Sequence, residues 1–297
     1  MFTTFDTGWL RCERRAAQAG EPRAYAAHVT DPEQGTTGLD TSVAHIARIY
    51  NYWLGGKDNF AVDREAANRA LAAEPSIAVA ARANRAFLGR AVSFLAGQQG
   101  IRQFLDIGTG IPAADNTHEV AQRIADDARV VYVDNDPIVL AHARALLAST
   151  PAGMTAYMQA DLRDTAEILR QAAQTLDFTR PVAVTLLMIL HCIPDDDRPY
   201  DIVRDLMAAT APGSYLVLSH PAKDIKAQTG QAATQAMNAM MGSARITIRS
   251  RAEIEHFFTG LDLIEPGVVQ LPFWRPGPQG PGHVIEAPAY CGVARKP

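Results

Sequence analysis

The sequence predicts an α/β fold: a mostly parallel sheet covered on both faces by helices, preceded by a helical cap. Two observations predict it. From Arg102 onward, short apolar runs alternate with segments of helical period, the pattern of a parallel sheet with helices as crossovers. Before Arg102 the periodic segments are all helical, so the sheet begins only after about 100 residues of arm and cap.

Taken in order, residues 1–40 show no clear period and end in the turn-rich Asp31-Pro32-Glu33-Gln34-Gly35, which predicts a loosely held arm. From Ser42, the positions Val43, Ile46, Ile49, Tyr50, Trp53 and Leu54 follow helical spacing. Ser42 or Thr41 is the expected N-cap, and Gly55-Gly56 the stop. A second helix is expected over Asp63 to Ala73. A third follows Pro75, carries Phe87, Leu88, Ala91, Val92 and Leu95 on one side, and ends at Gly97 or Gly100. The expected division is an arm over 1–40, a helical cap over 41–100 and a sheet domain over 101–297.

Within the sheet domain, strands are expected at Arg102 to Asp106, Arg129 to Asp134, Thr155 to Ala160, Val182 to Leu190 and Ser214 to His220. Helices are expected at Thr117 to Asp126, Pro137 to Ala148, Asp164 to Thr175 and about Arg198 to Ala209. Ser250-x-x-Glu253 is a capping box that opens one more helix. Two late strands, Leu261 to Glu265 and Tyr290 to Ala294, are joined through a Pro/Gly-rich excursion over Pro272 to Gly282. No internal repeat is visible.

Composition narrows the function classes. The chain has 297 residues, 47% of them apolar, and can bury a sizeable core without disulfides or structural metals. With 28 Lys+Arg against 32 Asp+Glu the net charge is −4, so no basic field exists to hold nucleic acid or an anionic membrane. Cys12, Cys192 and Cys291 are far apart, with no CxxC or HExxH, which disfavours a disulfide framework and a zinc site. A cytoplasmic protein is expected. The N-terminus lacks the regions of a signal peptide, and the longest apolar run, Pro181 to Pro194, is too short to span a bilayer.

The chemistry gathers at the expected strand ends. Phe104-Leu105-Asp106-Ile107-Gly108-Thr109-Gly110-Ile111-Pro112-Ala113 lies where the first strand turns toward a helix, with Gly108 and Gly110 letting the backbone approach a ligand. Asp134, with Asn135 beside it, ends the second strand, where a carboxylate can accept ribose hydroxyls. Asp161 ends the third, where it could take an adenine amino proton while Leu162 covers the ring; a helix N-cap is the alternative for each acid.

Gly108-x-Gly110-x-x-Ala113 also matches the dinucleotide pattern GxGxxG/A. Three features oppose that reading. Asp106 would repel a pyrophosphate but welcome an ammonium, Pro112 removes an N–H from the phosphate-cradling loop, and no Lys or Arg cluster lies nearby. A phosphate-free cofactor with a ribose, an adenine, an ammonium and a sulfonium suits these residues, which is S-adenosylmethionine.

The segments Ala47-Arg48-Ile49-Tyr50-Asn51-Tyr52-Trp53-Leu54-Gly55-Gly56-Lys57-Asp58-Asn59-Phe60-x-x-Asp63-Arg64, Asn84-Arg85-x-Phe87-Leu88, FLDIGTGIP and VVYVDNDPIVLAHARALL closely resemble a bacterial family of class I S-adenosylmethionine-dependent methyltransferases. The resemblance runs from about Thr41 to the C-terminus and is carried most specifically by LGGKDNF and YVDNDP. It implies a Rossmann-like, seven-stranded sheet with its last strand antiparallel. It also implies a cofactor pocket at Asp106, Gly108, Gly110, Asp134 and Asp161. Pro112 stands where the general class I pattern often has a third glycine.

Methyl transfer from a sulfonium mainly needs a positioned acceptor, and a base only when the nucleophile arrives protonated. His191 follows the fourth strand and is the leading candidate base. His220 ends the fifth, and either imidazole could instead cap its strand end through backbone hydrogen bonds. Asp195-Asp196-Asp197 is expected to cap the helix starting near Arg198 rather than to bind metal. Tyr50, Tyr52 and Trp53 could offer aromatic faces to a sulfonium or could simply be core. Arg85 could pair with a methionine carboxylate or lie solvated, and Phe273-Trp274-Arg275 could line an acceptor pocket or only join strands. The expected activity is S-adenosylmethionine-dependent methylation of a small molecule. The alternatives are a non-catalytic S-adenosylmethionine-binding protein and an NAD(P)-dependent oxidoreductase.

Overall fold

The computed structural model describes residues 42–146, 152–242, 244–277 and 286–297. The expected arm, the N-cap candidate Thr41 and residues 278–282 of the Pro/Gly-rich excursion lie outside the described residues.

Three helices come first: α1 (Ile46–Trp53), α2 (Ala61–Ala73) and α3 (Ile77–Gly97). The first starts later than its apolar period suggests. His45, not Ser42 or Thr41, is the N-cap: it is extended, and its side chain accepts the Ala47 N–H. The turn into the next helix is held by a carboxylate. Asp63 is fully buried, and it accepts the N–H groups of His45 (2.9 Å) and Phe60 (2.8 Å) and the Nε of Arg48 (3.0 Å). That ion pair compensates two charges that burial alone would penalise.

Then strands and helices alternate. The parallel strands are β1 (Gln103–Ile107), β2 (Arg129–Asp134), β3 (Met154–Gln159), β4 (Ala183–Leu187) and β5 (Tyr215–Pro221). Between them run α4 (Thr117–Ile124), α5 (Pro137–Leu146), α6 (Thr165–Ala172) and α7 (Pro199–Ala208). After β5 come α8 (Ala227–Asn238) and α9 (Arg251–His256), the latter opened by the expected Ser250 and Glu253 capping box. Short strands β6 (Asp262–Leu263) and β7 (Val269–Gln270) precede β8 (Ala289–Arg295). The sheet order is β3-β2-β1-β4-β5-β8-β6, with β7 pairing β8, and β8 is antiparallel to β5. Among the described residues the strands number eight rather than the expected seven, because Val269 and Gln270 add a two-residue strand on β8.

Side chains alternate across the strands, so neighbouring residues feed two separate cores. Leu105, Ile107, Val131, Val133, Leu216 and Leu218 pack against α6, α7 and α9; Phe104, Val130, Tyr132, Tyr215 and Val217 pack against α3 and α4. A third core joins α1 and α2 to α8 through Ile49, Ala66, Ala70, Ala233 and Met237. The helix over Ala227–Asn238 is not among the elements expected from the sequence, and α1 and α2 pack on it. Among the described residues no helix is long and apolar enough to cross a membrane.

Candidate functional site

The C-terminal ends of β1, β2 and β4 open into one cavity roofed by α1 and walled by α8. Asp106, Gly108, Gly110, Asp134, Asn135 and His191 all line it. Each is placed by local structure. Asp106 shares the face of Phe104 and stands opposite Thr185 in the β1/β4 register. Its carboxylate accepts Thr117 Oγ1 at 2.6 Å and Thr185 Oγ1 at 2.7 Å. Asp134 ends β2, and its carboxylate accepts the N–H of Gly110 at 2.8 Å and of Asp136 at 3.0 Å. Burial pushes both carboxyls up from the usual range, against the hydrogen bonds that pull them down.

The two glycines are required for different reasons. Both have positive φ, +75° at Gly108 and +68° at Gly110. A Cβ on Gly108 would land inside the Ile189 side chain, so this glycine admits the segment after β4. A Cβ on Gly110 would meet nothing within 4 Å: here the backbone faces open space.

Asp161 and Leu162, expected beside the other two acids, are not among the residues that line this cavity. The side chain of Asp161 is 43% exposed and pairs with Arg163 at 3.1 Å, and it also accepts the Arg163 N–H. A cation two residues away captures it. Leu162 is buried in the core between the sheet, α6 and α7.

His191 lies in a 3₁₀ turn, Leu190–Cys192, just past β4. Its ring is buried, with Nδ1 sealed and without a partner among the described residues. Burial, and then the nearby Arg249 charge, push its pKa down to about 4, so the imidazole is neutral at ordinary pH. His220 takes the other course offered by the sequence. It is fully buried, its Nδ1 lies 2.8 Å from the Pro221 carbonyl, and its Nε2 lies 2.8 Å from Arg249 Nη1. A guanidinium only donates, so Nε2 accepts and Nδ1 carries the proton.

Arg249, which sequence reasoning missed, pins this region. It is 2% exposed and donates to the carbonyls of Leu190 (3.0 Å) and Ile193 (2.9 Å) and to Asp195 (2.7 Å). Asp195 therefore serves Arg249, and Asp197 pairs with Arg163 at 2.7 Å. The three acids form their own 3₁₀ turn, and α7 starts after Arg198 with no side-chain cap, so the expected capping role is replaced by ion pairs. Among the described residues no group of three His, Cys, Asp or Glu could hold a metal ion.

A second missed feature is a hydrogen-bond chain from roof to sheet. Met188 N–H donates to Ser219 Oγ (3.0 Å), Ser219 to Asn84 Oδ1 (2.7 Å), Asn84 Nδ2 to Tyr50 Oη (3.0 Å), and Tyr50 to the Ala81 carbonyl (2.9 Å). Tyr50 and Trp53 line the cavity; Tyr52 does not, and instead bonds Asn68. Arg85 also lines it, with its guanidinium on the carbonyls of Ala114 and Asp115. Trp274 is fully buried against Phe87 and Phe94, away from the cavity, which places its part of the expected loop in the core.

The comparisons bear on which cofactor fits. A family model described as S-adenosyl methyltransferase matches residues 32–297. The chain belongs to the S-adenosyl methyltransferase family. Its cofactor is S-adenosylmethionine. A crystal structure of a DUF574 family protein from Streptomyces avermitilis is 45% identical, covers 88% of this chain and 100% of its own, and superposes with a TM-score of 0.84. A Thermobifida fusca protein proposed to be a methyltransferase is 43% identical, covers 88% of this chain and 97% of its own, with a TM-score of 0.78. No curated protein matches the chain. The residues present fit the cofactor: among the described residues the cavity is lined by carboxylates and by glycine backbone facing open space, with no lysine and with Arg85 engaged by carbonyls.

Proposed function

We propose that this methyltransferase transfers the methyl group to a small molecule held beneath its N-terminal helices, with His191 as the base. The supporting observation is that Asp106, Gly108, Gly110, Asp134 and Asn135 share one cavity with His191 and with helices α1 and α8. In this reading Asp134 has lone pairs left after its two backbone N–H partners and accepts the ribose hydroxyls. Asp106 offers a negative charge to the ammonium, and the Gly108 to Gly110 backbone lies along the ligand. Asp161 and Leu162 drop out of the set, because Arg163 and the core occupy them.

When bound, S-adenosylmethionine supplies a methyl group activated by a sulfonium and a neutral leaving group. The chain contributes position and exclusion of water. His191, neutral and buried, can take a proton from a hydroxyl as the new bond forms. In this reading the cap over 41–100 and the catalytic domain over 101–297 divide these tasks. The ARxYNYxLGGKDNF segment is the cap's signature within the family: its Arg48 is tied to Asp63 and its Asn51 to Asn59. The thiols of Cys192 and Cys291 are free, which suits a reducing cytoplasm.

Titration calorimetry tests this reading. It predicts binding of S-adenosylmethionine and none of NAD(H), followed by an acceptor product heavier by one methylene. NAD(H) binding without S-adenosylmethionine binding overturns the reading in favour of an oxidoreductase. Cofactor binding with no transfer to any acceptor overturns it in favour of a non-catalytic binding protein.

A further inference from the structure

Beyond the strand ends the cavity continues between α1 and α8, where its wall changes character. Trp53, Ile77, Ala233, Met237, Ile246 and Ile248 line this end. His191 stands where the two ends meet. Ile189, two residues before it, packs over Gly108, and the His191 carbonyl accepts the N–H of Thr247, between Ile246 and Ile248, at 2.8 Å.

Resting on the methyl-transfer reading, we infer that the acceptor is an uncharged aromatic phenol whose ring fills this apolar end and whose hydroxyl meets His191. The wall supplies what a ring binds: an indole, a thioether and branched aliphatic side chains. The charges select the handle. Acids line the cavity at Asp106, Asp134 and Glu74. Burial alone would raise the Glu74 carboxyl, but hydrogen bonds from Ser76 and Thr229 and the Lys226 charge bring it down to about 2. Among the described residues the basic groups at the cavity already have partners, Arg85 the carbonyls of Ala114 and Asp115, His45 the Asp136 carboxylate and Lys226 that of Glu74, so a carboxylate acceptor would enter against like charge.

An ammonium acceptor is excluded by its proton. It has no lone pair until deprotonated, and an amine holds its proton about a millionfold too tightly for a base like His191. A phenol keeps a lone pair while protonated. Its oxygen forms the new C–O bond as the C–S bond breaks, and that bond's electron pair goes to sulfur, leaving a neutral thioether. The hydroxyl proton, now strongly acidic, passes to His191, and the imidazolium carries the charge the sulfonium lost.

Three probes with one ring and different handles test the inference: 2-naphthol, 2-naphthoate and 2-naphthylmethylammonium. Each is titrated calorimetrically into the full-length protein saturated with S-adenosylhomocysteine. The 2-naphthol should bind at least tenfold tighter than 2-naphthoate, and with S-adenosylmethionine in place of S-adenosylhomocysteine it alone of the three should be methylated, because the ammonium can bind among the acids but keeps its proton. Thr234→Trp, which fills the apolar end, should weaken 2-naphthol at least tenfold and leave the cofactor titration unchanged. His191→Gln should keep 2-naphthol binding within about threefold and lower its methylation at least about a hundredfold. Equal or tighter binding of the carboxylate, methylation of the ammonium probe, or no binding of 2-naphthol with the cofactor titration intact, overturns the inference. Failure of the cofactor titration itself overturns the methyl-transfer reading on which it rests.

Discussion

Replacing Arg249 by Met keeps the length and apolar stem of the side chain but removes every hydrogen bond of a buried guanidinium. The lost partners are unequal. Asp195 is 71% exposed, so water replaces the guanidinium there and that pair is worth little. The carbonyls of Leu190 and Ile193 belong to buried residues, as does His220. Bonds from a charged donor to such groups are worth about 1.5–3 kcal/mol each, and the three are not additive. Removal of the guanidinium charge from the interior returns part of that sum. A net loss of about 3–5 kcal/mol is expected, read as a lower urea midpoint at unchanged slope. Removing the charge also lets the His191 pKa rise. A loss below about 1 kcal/mol, with the slope intact, would refute the claim that Arg249 holds the segment carrying His191.

Other expectations concern single groups. Free His191 titrates near 6.5 and the buried ring near 4, so between those pH values the unfolded chain holds a proton that the folded chain does not. Stability should therefore fall by about 3 kcal/mol as pH drops from 6.5 to 4, and urea unfolding of His191→Asn should show that much less slope. The acid limb of the methylation profile should likewise lie near pH 4. Gly108→Ala combines positive φ with a clash on Ile189 and should cost about 2–4 kcal/mol, whereas Gly110→Ala should cost about 1 kcal/mol and act mainly on cofactor affinity; thermal melts and titrations separate the two. Asp63→Ala leaves the buried Arg48 with only the Val43 carbonyl and a 4.0 Å approach to Asp136, frees the His45 and Phe60 N–H groups, and should cost about 3 kcal/mol by denaturant unfolding.

The strands were legible because burial on both faces writes continuous apolar runs: the span of β2 agrees with its expected bounds, and β1 and β3 are each offset by one residue at both ends. The helix α8 was not legible. AQTGQAATQAMN carries a glycine and small or polar residues, with only Ala233 and Met237 buried, so its helical period is faint. Arg249 gave no signal either, because a buried cation is indistinguishable in sequence from a solvated one. That Asp106, Gly108, Gly110 and Asp134 come together at one cavity was legible, since the strand ends of this architecture meet on one side of the sheet. Asp161 obeys the same rule in sequence, but the fold pairs it with Arg163, a cation two residues away that its strand-end position does not announce. The N-cap was misplaced for a similar reason: Ser42 has the better capping chemistry, but the Asp63 carboxylate holds the His45 N–H and sets where the helix starts.

Calorimetric titration of S-adenosylmethionine into the wild type, Asp134→Ala and Asp161→Ala tests the cofactor site most directly. Binding to the wild type should weaken at least about tenfold, or 1.4 kcal/mol, in Asp134→Ala and by less than about twofold in Asp161→Ala. Unchanged affinity in Asp134→Ala, or the larger loss in Asp161→Ala, would contradict the placement of the cofactor at the β2 strand end.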